Sequence, residues 1–292
     1  MHSTATRSAR FEFTFLPIAE DAKPWIRGVA RFGFWALGFI HVVVGVLALQ
    51  LAAGFGGETD SLHSALSAIY KHPWGGTLLI VLAAGFTCYA AWRLVQAIWN
   101  PDRIGHDFIG TWVRVGCGLS GLIYLGLAFS AVRLVFFGGD GGREGERQHM
   151  ESMTAATLAH PWGRPLLAAV VVILAAAAIT NVVRAWRAKF SDQLAAARMA
   201  SLAHAVVVTL GRYGYLARGS VFAAAASLFA RAALDRDPRE AGGMSAALGE
   251  LLRQPFGRWL LGTAAAGFIA YGLFCWSLIR YRRLPADSAR KG

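Results

Sequence analysis

Apolar residues run almost without interruption through six stretches, roughly 32–54, 76–99, 115–137, 165–183, 213–233 and 259–279. Each is close to the 20 or so residues that a helix needs to cross the hydrocarbon core of a bilayer. Between the first and second stretch, the third and fourth, and the fifth and sixth lie shorter, more polar pieces: DSLHSALSAIYKH, ESMTAATLAH and MSAALGELLRQ. They begin near Ser or Asp, which cap helices, and end where a proline forbids the preceding residue from staying helical. The pattern predicts long helix, short helix, long helix, written three times.

The repetition extends to motifs. Each odd-numbered span opens on Arg-x-Gly-x-x-x-x-Gly, as RFGFWALG at Arg31, RVGCGLSG at Arg114 and RYGYLARG at Arg212. From those arginines to Pro73, Pro161 and Pro255 is 42, 47 and 43 residues. The prolines stand in KHPWG, AHPWG and RQPFG, so Trp74, Trp162 and Phe256 occupy one position and anchor the returning span at headgroup level. His72 and His160 precede two of the prolines, but Gln254 stands at the third, which favours a structural corner over a catalytic one. Units that cross the membrane twice re-enter in the same orientation, and parallel repeats are related by an axis along the membrane normal. The expected fold is all-α: a polytopic bundle of six transmembrane helices in three two-helix repeats, with pseudo-threefold arrangement and short interfacial helices in the external loops. Its parts are an N-terminal segment 1–27, repeats over 28–99, 100–188 and 189–284, and a tail 285–292.

Composition agrees with a bilayer environment, with 55% hydrophobic and 16% charged residues. Residues 1–30 mix charges and prolines without an apolar core of the secretory type, so the first span serves as its own insertion signal. The net charge of +12 is unevenly placed. The termini and the second and fourth loops carry 18 Lys and Arg against seven acids, while the opposite side carries nine against ten; Arg133 and Arg218 complete the set. The positive-inside rule then makes both termini cytoplasmic in a multi-pass membrane protein. Anionic lipid headgroups suffice as partners for the basic side, and no nucleic acid is implied. Cys88, Cys117 and Cys275 fall in the spans and read as small buried hydrophobes.

ARFGFWALGFIHVVVGVLAL (30–49), QPFGRWLL (254–261) and YGLFCWSLIRYRRL (271–284) resemble the bacterial membrane family known as domain of unknown function 1206. The likeness covers about 28–284 and implies three repeated pairs of transmembrane helices, with no established activity. The second repeat departs from the pattern: LLAAVVVILAAAAITNVVRAW lacks the aromatic positions of the other even spans.

Intramembrane polar residues are the default functional candidates. No span carries a central Asp, Glu or Lys, which argues against an acidic proton relay. Gln50, Arg133 and Arg231 each lie 19 residues after the opening arginines, about 28 Å along a helix, and form a polar level at the external ends. They read as side chains snorkelling to the interface, with an anion-selective ring as the alternative. Arg93, Arg184 and Arg280 close the even spans as topology anchors. His41 lies deep in the first span on a stripe with Gly38, Gly45, Ala48 and Ala52, and the second unit places Gly121 and Tyr124, the third Gly219 and Phe222, at matching positions. Small residues on one stripe allow close helix approach, so His41 is expected to point into the bundle, neutral, and bonded to Tyr124, a backbone carbonyl or water. With no second ligand at its depth, neither a metal nor any other cofactor is implied. The expected role is non-catalytic: binding or passing a small solute, ion or lipid. The alternatives are a scaffold or accessory subunit for other membrane proteins, and an intramembrane enzyme.

Overall fold

A computed structural model describes residues 24–54, 62–99, 108–138, 143–188, 191, 199–237, 241 and 244–281. Their regular elements are α-helices in the long, short, long order. These are α1 (Pro24–Ala52), α2 (Leu62–Tyr70), α3 (Gly75–Trp99), α4 (Phe108–Phe137), α5 (Arg143–Leu158), α6 (Gly163–Arg187), α7 (Ser201–Asp235), α8 (Met244–Arg253) and α9 (Gly257–Tyr281). Residues 24–27, expected in the N-terminal segment, already form the first turn of α1. The rest of that segment and the tail 285–292 lie outside the described residues.

Among the described residues, five helices are long and apolar enough to cross a membrane, over Arg31–Ala53, Gly75–Ile98, Arg114–Phe137, Gly163–Arg187 and Gly257–Tyr281. α7 is the longest helix, yet it is not among them. Arg218, with Tyr213, Gly214 and Tyr215 just before it, dilutes its apolar stretch. The six equal spans expected from sequence are thus five, plus one helix interrupted by charge.

The corner motif closes with the same backbone hydrogen bonds three times, although Phe256 takes a left-handed backbone (φ 61°) where Trp162 has φ −89°. The amide of Gly75 donates to the His72 carbonyl at 2.8 Å, that of Gly163 to His160 at 2.9 Å, and that of Gly257 to Gln254 at 2.8 Å. The aromatic residue between them starts the next helix: the carbonyls of Trp74, Trp162 and Phe256 accept from Leu78, Leu166 and Leu260, each at 3.1 Å. The glycine is required by space, because a Cβ there would run into the carbonyl oxygens of Ile69, Thr157 and Leu252, respectively. The aromatic side chains themselves point outward, 81%, 78% and 81% exposed, as an interfacial anchor requires.

Long helices pair across units. α1 packs on α9, α4 on α3, and α7 on α6, while within units α1 packs on α3 and α7 on α9. Small residues permit the within-unit crossings: Gly33 lies against Tyr89, and Gly85 against Ala36; in the third unit Gly214 lies against Tyr271, and Gly267 against Ala217. α4 and α6 are not among the packed pairs. At the registers of Ala36 and Gly85 the second unit has the bulkier Leu119 and Ile173, and at the register of Tyr89 it has only Ala177. Gly116, equivalent to Gly33 and Gly214, accordingly faces open space. The long helices therefore form a row, α4-α3-α1-α9-α7-α6, left open between its ends. α2 packs on α5, and α5 on α8, joining the short helices beside the corners.

Candidate functional site: an arginine among aromatic rings

Arg218 sits six residues beyond Arg212, about 9 Å farther along α7. Equivalent positions hold Leu37 and Ser120. The side chain is half-buried. Its guanidinium carbon lies 4.5 Å from the centre of the Tyr271 ring and 5.8 Å from that of Phe222. Tyr271, fixed by α9, is the hub of the cluster. Its ring centre is 4.9 Å from His41 of α1 and 5.5 Å, edge to face, from Tyr215 of α7.

Across the interior, Tyr89 of α3 and Tyr124 of α4 meet edge to face at 4.8 Å, with Phe86 at 6.1 Å from Tyr124. Both tyrosines, and His41, are near enough to feel the Arg218 charge. The row of helices therefore curls round, bringing α4 at one end close to α7 near the other.

Among the described residues this cation has no acidic partner. No Asp or Glu occurs within 24–54, 75–99, 108–137, 163–191, 199–234 or 257–281. Among the described residues Arg218 makes ring contacts but no hydrogen bond or ion pair. Placing an Arg in a span costs up to about 3.5 kcal/mol even on the insertion scale. A desolvated cation–π contact returns about 2 kcal/mol. The guanidinium is half-buried, so its five N–H donors stay open to an acceptor from outside the chain. The ring face offsets the charge but offers no acceptor in the guanidinium plane.

Several other arginines near the ends of the long helices have partners. Arg114 donates from Nε to the Ala97 carbonyl at 2.9 Å and from Nη2 to that of Ile98 at 3.0 Å, so the opening arginine of the second unit caps the C-terminus of α3, where a cation is favoured. Arg93 donates to Gln96 Oε1 at 3.3 Å and to Cys117 Sγ at 3.6 Å, and lies 5.9 Å from the Tyr89 ring centre. Arg184 lies 5.8 Å from the centre of Tyr215.

His41 is 2% exposed, and its Nδ1 lies 2.7 Å from the Leu37 carbonyl oxygen. Tyr124 is buried against Tyr89 and Phe86, so the ring contacts of His41 are made with Tyr271 and Phe268 instead. A Cβ on Gly38 would come within 2.6 Å of Trp276, whose Nε1 donates to the Trp35 carbonyl at 3.1 Å. One on Gly45 would meet the Ala265 carbonyl at 2.7 Å. Gly121 sits against Leu94 of α3 and Gly219 against Val182 of α6. Gln50, Arg133 and Arg231 are exposed; Arg231 pairs with Glu250 of α8 at 3.3 Å, which ties it to its own unit's short helix. His72 and His160 are exposed on the corners.

Sequence reading passes over Arg218 because, six residues into its unit, it looks like one more interfacial arginine. The signal lies in the repeat alignment, where neither equivalent position is charged.

The profile of the family described as Domain of Unknown Function (DUF1206) matches residues 32–100, 115–188 and 213–282. The chain belongs to this family. The three matched segments mark three internal repeats, and the five long apolar helices among the described residues are those of a multi-pass membrane protein. It is also similar to "Uncharacterized protein YxxB" of Bacillus subtilis (strain 168), 32% identical over 257 residues, 88% of this chain and 91% of that one. No solved structure matches it.

Proposed function

We propose that this is a non-catalytic, six-span protein of the bacterial inner membrane that binds a small anionic group inside its bundle. The observation that carries the reading is Arg218: a cation in the interior, stacked on Tyr271, with no carboxylate in any long helix above Asp235 to neutralise it. A bound anion supplies both the missing charge and the missing acceptors, and charge-assisted hydrogen bonds to a guanidinium are the strong ones. α7 is the sixth span, made tolerable by that ligand, and the pairing of each odd helix with the preceding unit's even helix fits a pseudo-threefold plan broken in the second unit. Both termini are cytoplasmic, in keeping with the distribution of Lys and Arg.

The experiment is anion binding by the purified full chain in detergent, comparing the natural protein with Arg218→Gln and Arg218→Lys. Binding that is lost with Gln and partly retained with Lys, at unchanged helix content, supports the reading. Equal binding by all three contradicts it.

A further inference from the structure

We infer that the anionic ligand is an amphiphile, an acyl chain bearing a carboxylate or phosphate head, and that it reaches Arg218 sideways from the bilayer between α4 and α6. This rests on the anion site just proposed and adds the chemistry of the rest of the molecule and its route.

Every other neighbouring pair of long helices in the row is packed: α4 on α3, α3 on α1, α1 on α9, α9 on α7 and α7 on α6. Close contacts at Gly121, Gly33, Gly38, Gly214 and Gly219, respectively, mark those five seams. The seam between α4 and α6 has no counterpart, since Gly116 has nothing within 4 Å of the Cβ position and Leu119, in place of a buried alanine, is 40% exposed.

The wall that α6 contributes is apolar from Pro165 to Ile179 without a break. A hydrated inorganic anion gains nothing from such a wall, because it must shed water before it meets Arg218. An acyl chain gains burial along it while the head finds the guanidinium, so the two halves of an amphiphile match the two halves of the opening. The missing aromatic makes the room: Tyr89 and Tyr271 fill their seams, and Ala177 leaves this one unfilled.

Native mass spectrometry of the full chain released from detergent micelles tests this with three probes: palmitate, hexadecanol as the uncharged chain, and inorganic phosphate as the charge without a chain. The variants are Arg218→Gln, Ala177→Tyr, which restores the aromatic of the other units, and Gly116→Phe, which fills the seam from the opposite wall should the first fail to fold. Palmitate is expected to bind the natural protein one to one. Its binding should weaken at least about tenfold in Arg218→Gln and similarly in the seam-filling variants, with hexadecanol weaker by about as much and phosphate unable to displace it. If phosphate displaces palmitate and the seam-filling variants bind palmitate normally, the lateral amphiphile is wrong while the anion site stands. If Arg218→Gln binds palmitate as well as the natural protein does, both are wrong.

Discussion

Replacing the glycine two residues after each opening arginine by alanine probes three helix pairs with one methyl group. At Gly214 the new Cβ would sit 2.6–2.9 Å from Cβ, Cα and N of Tyr271, so the α7 and α9 backbones must part by several tenths of an ångström. At Gly33 the nearest atoms are those of Tyr89 at 2.9–3.0 Å, a slightly smaller intrusion. At Gly116 nothing lies within 4 Å. Overpacking a well-fitted contact costs typically about 1–3 kcal/mol, whereas exchanging Gly for Ala inside a helix returns up to about 1 kcal/mol. Gly214→Ala is therefore expected to destabilise by roughly 1–2 kcal/mol and Gly33→Ala by about 1 kcal/mol, while Gly116→Ala stabilises by up to about 1 kcal/mol. The check is SDS-driven unfolding in mixed micelles followed by circular dichroism, all three variants measured alongside the natural protein. A Gly116→Ala loss as large as that of Gly214→Ala would mean that α4 and α6 are packed after all, and the open seam would be refuted.

Three further outcomes follow from the same geometry. His41→Phe should change stability by less than about 1 kcal/mol in that unfolding assay, because the Leu37 carbonyl keeps its helical partner and Phe suits the aromatic surroundings of Tyr271 and Phe268; a larger loss would make His41 a structural keystone. Gly75→Ala, whose methyl would meet the Ile69 carbonyl oxygen, should cost about 1–3 kcal/mol, and an unchanged transition would show that the corner is looser than described. Single cysteines near Gly57 and Gly141 should react with an impermeant maleimide added outside cells, while one near Arg290 should not; the reverse pattern overturns cytoplasmic termini.

The corners and the long helices were legible because their causes are local. Proline ends α2, α5 and α8, glycine is the one residue that fits beneath the preceding turn, and continuous apolarity marks each span over distances that a single helix covers. The stripe of Gly38, Gly45, Gly121 and Gly219 also reads directly from helical periodicity, though not which helix each would meet: the partners are α9, α3 and α6, all from the neighbouring unit. The broken seam was visible only in part. The absent aromatics of the second even span stand out, whereas the exchange of Ala36 and Gly85 for Leu119 and Ile173 carries meaning only when two helices are known to cross there.

Arg218 was hidden for a different reason. Charge near a span end has a ready interfacial explanation, and only the position of Tyr271 on α9, distant in sequence, turns the residue inward. The expected polar level of Gln50, Arg133 and Arg231 is another such case: equal spacing puts them at one height, but all three are exposed and Arg231 is occupied by Glu250.

A density map of the full chain in lipid nanodiscs, examined around Arg218, tests the central claim most directly. Non-protein density against the guanidinium, opposite the Tyr271 ring contacts and continuing between α4 and α6, is the expected result. A dry, closed contact between α4 and α6, or a carboxylate of the chain itself folded onto Arg218, would contradict it.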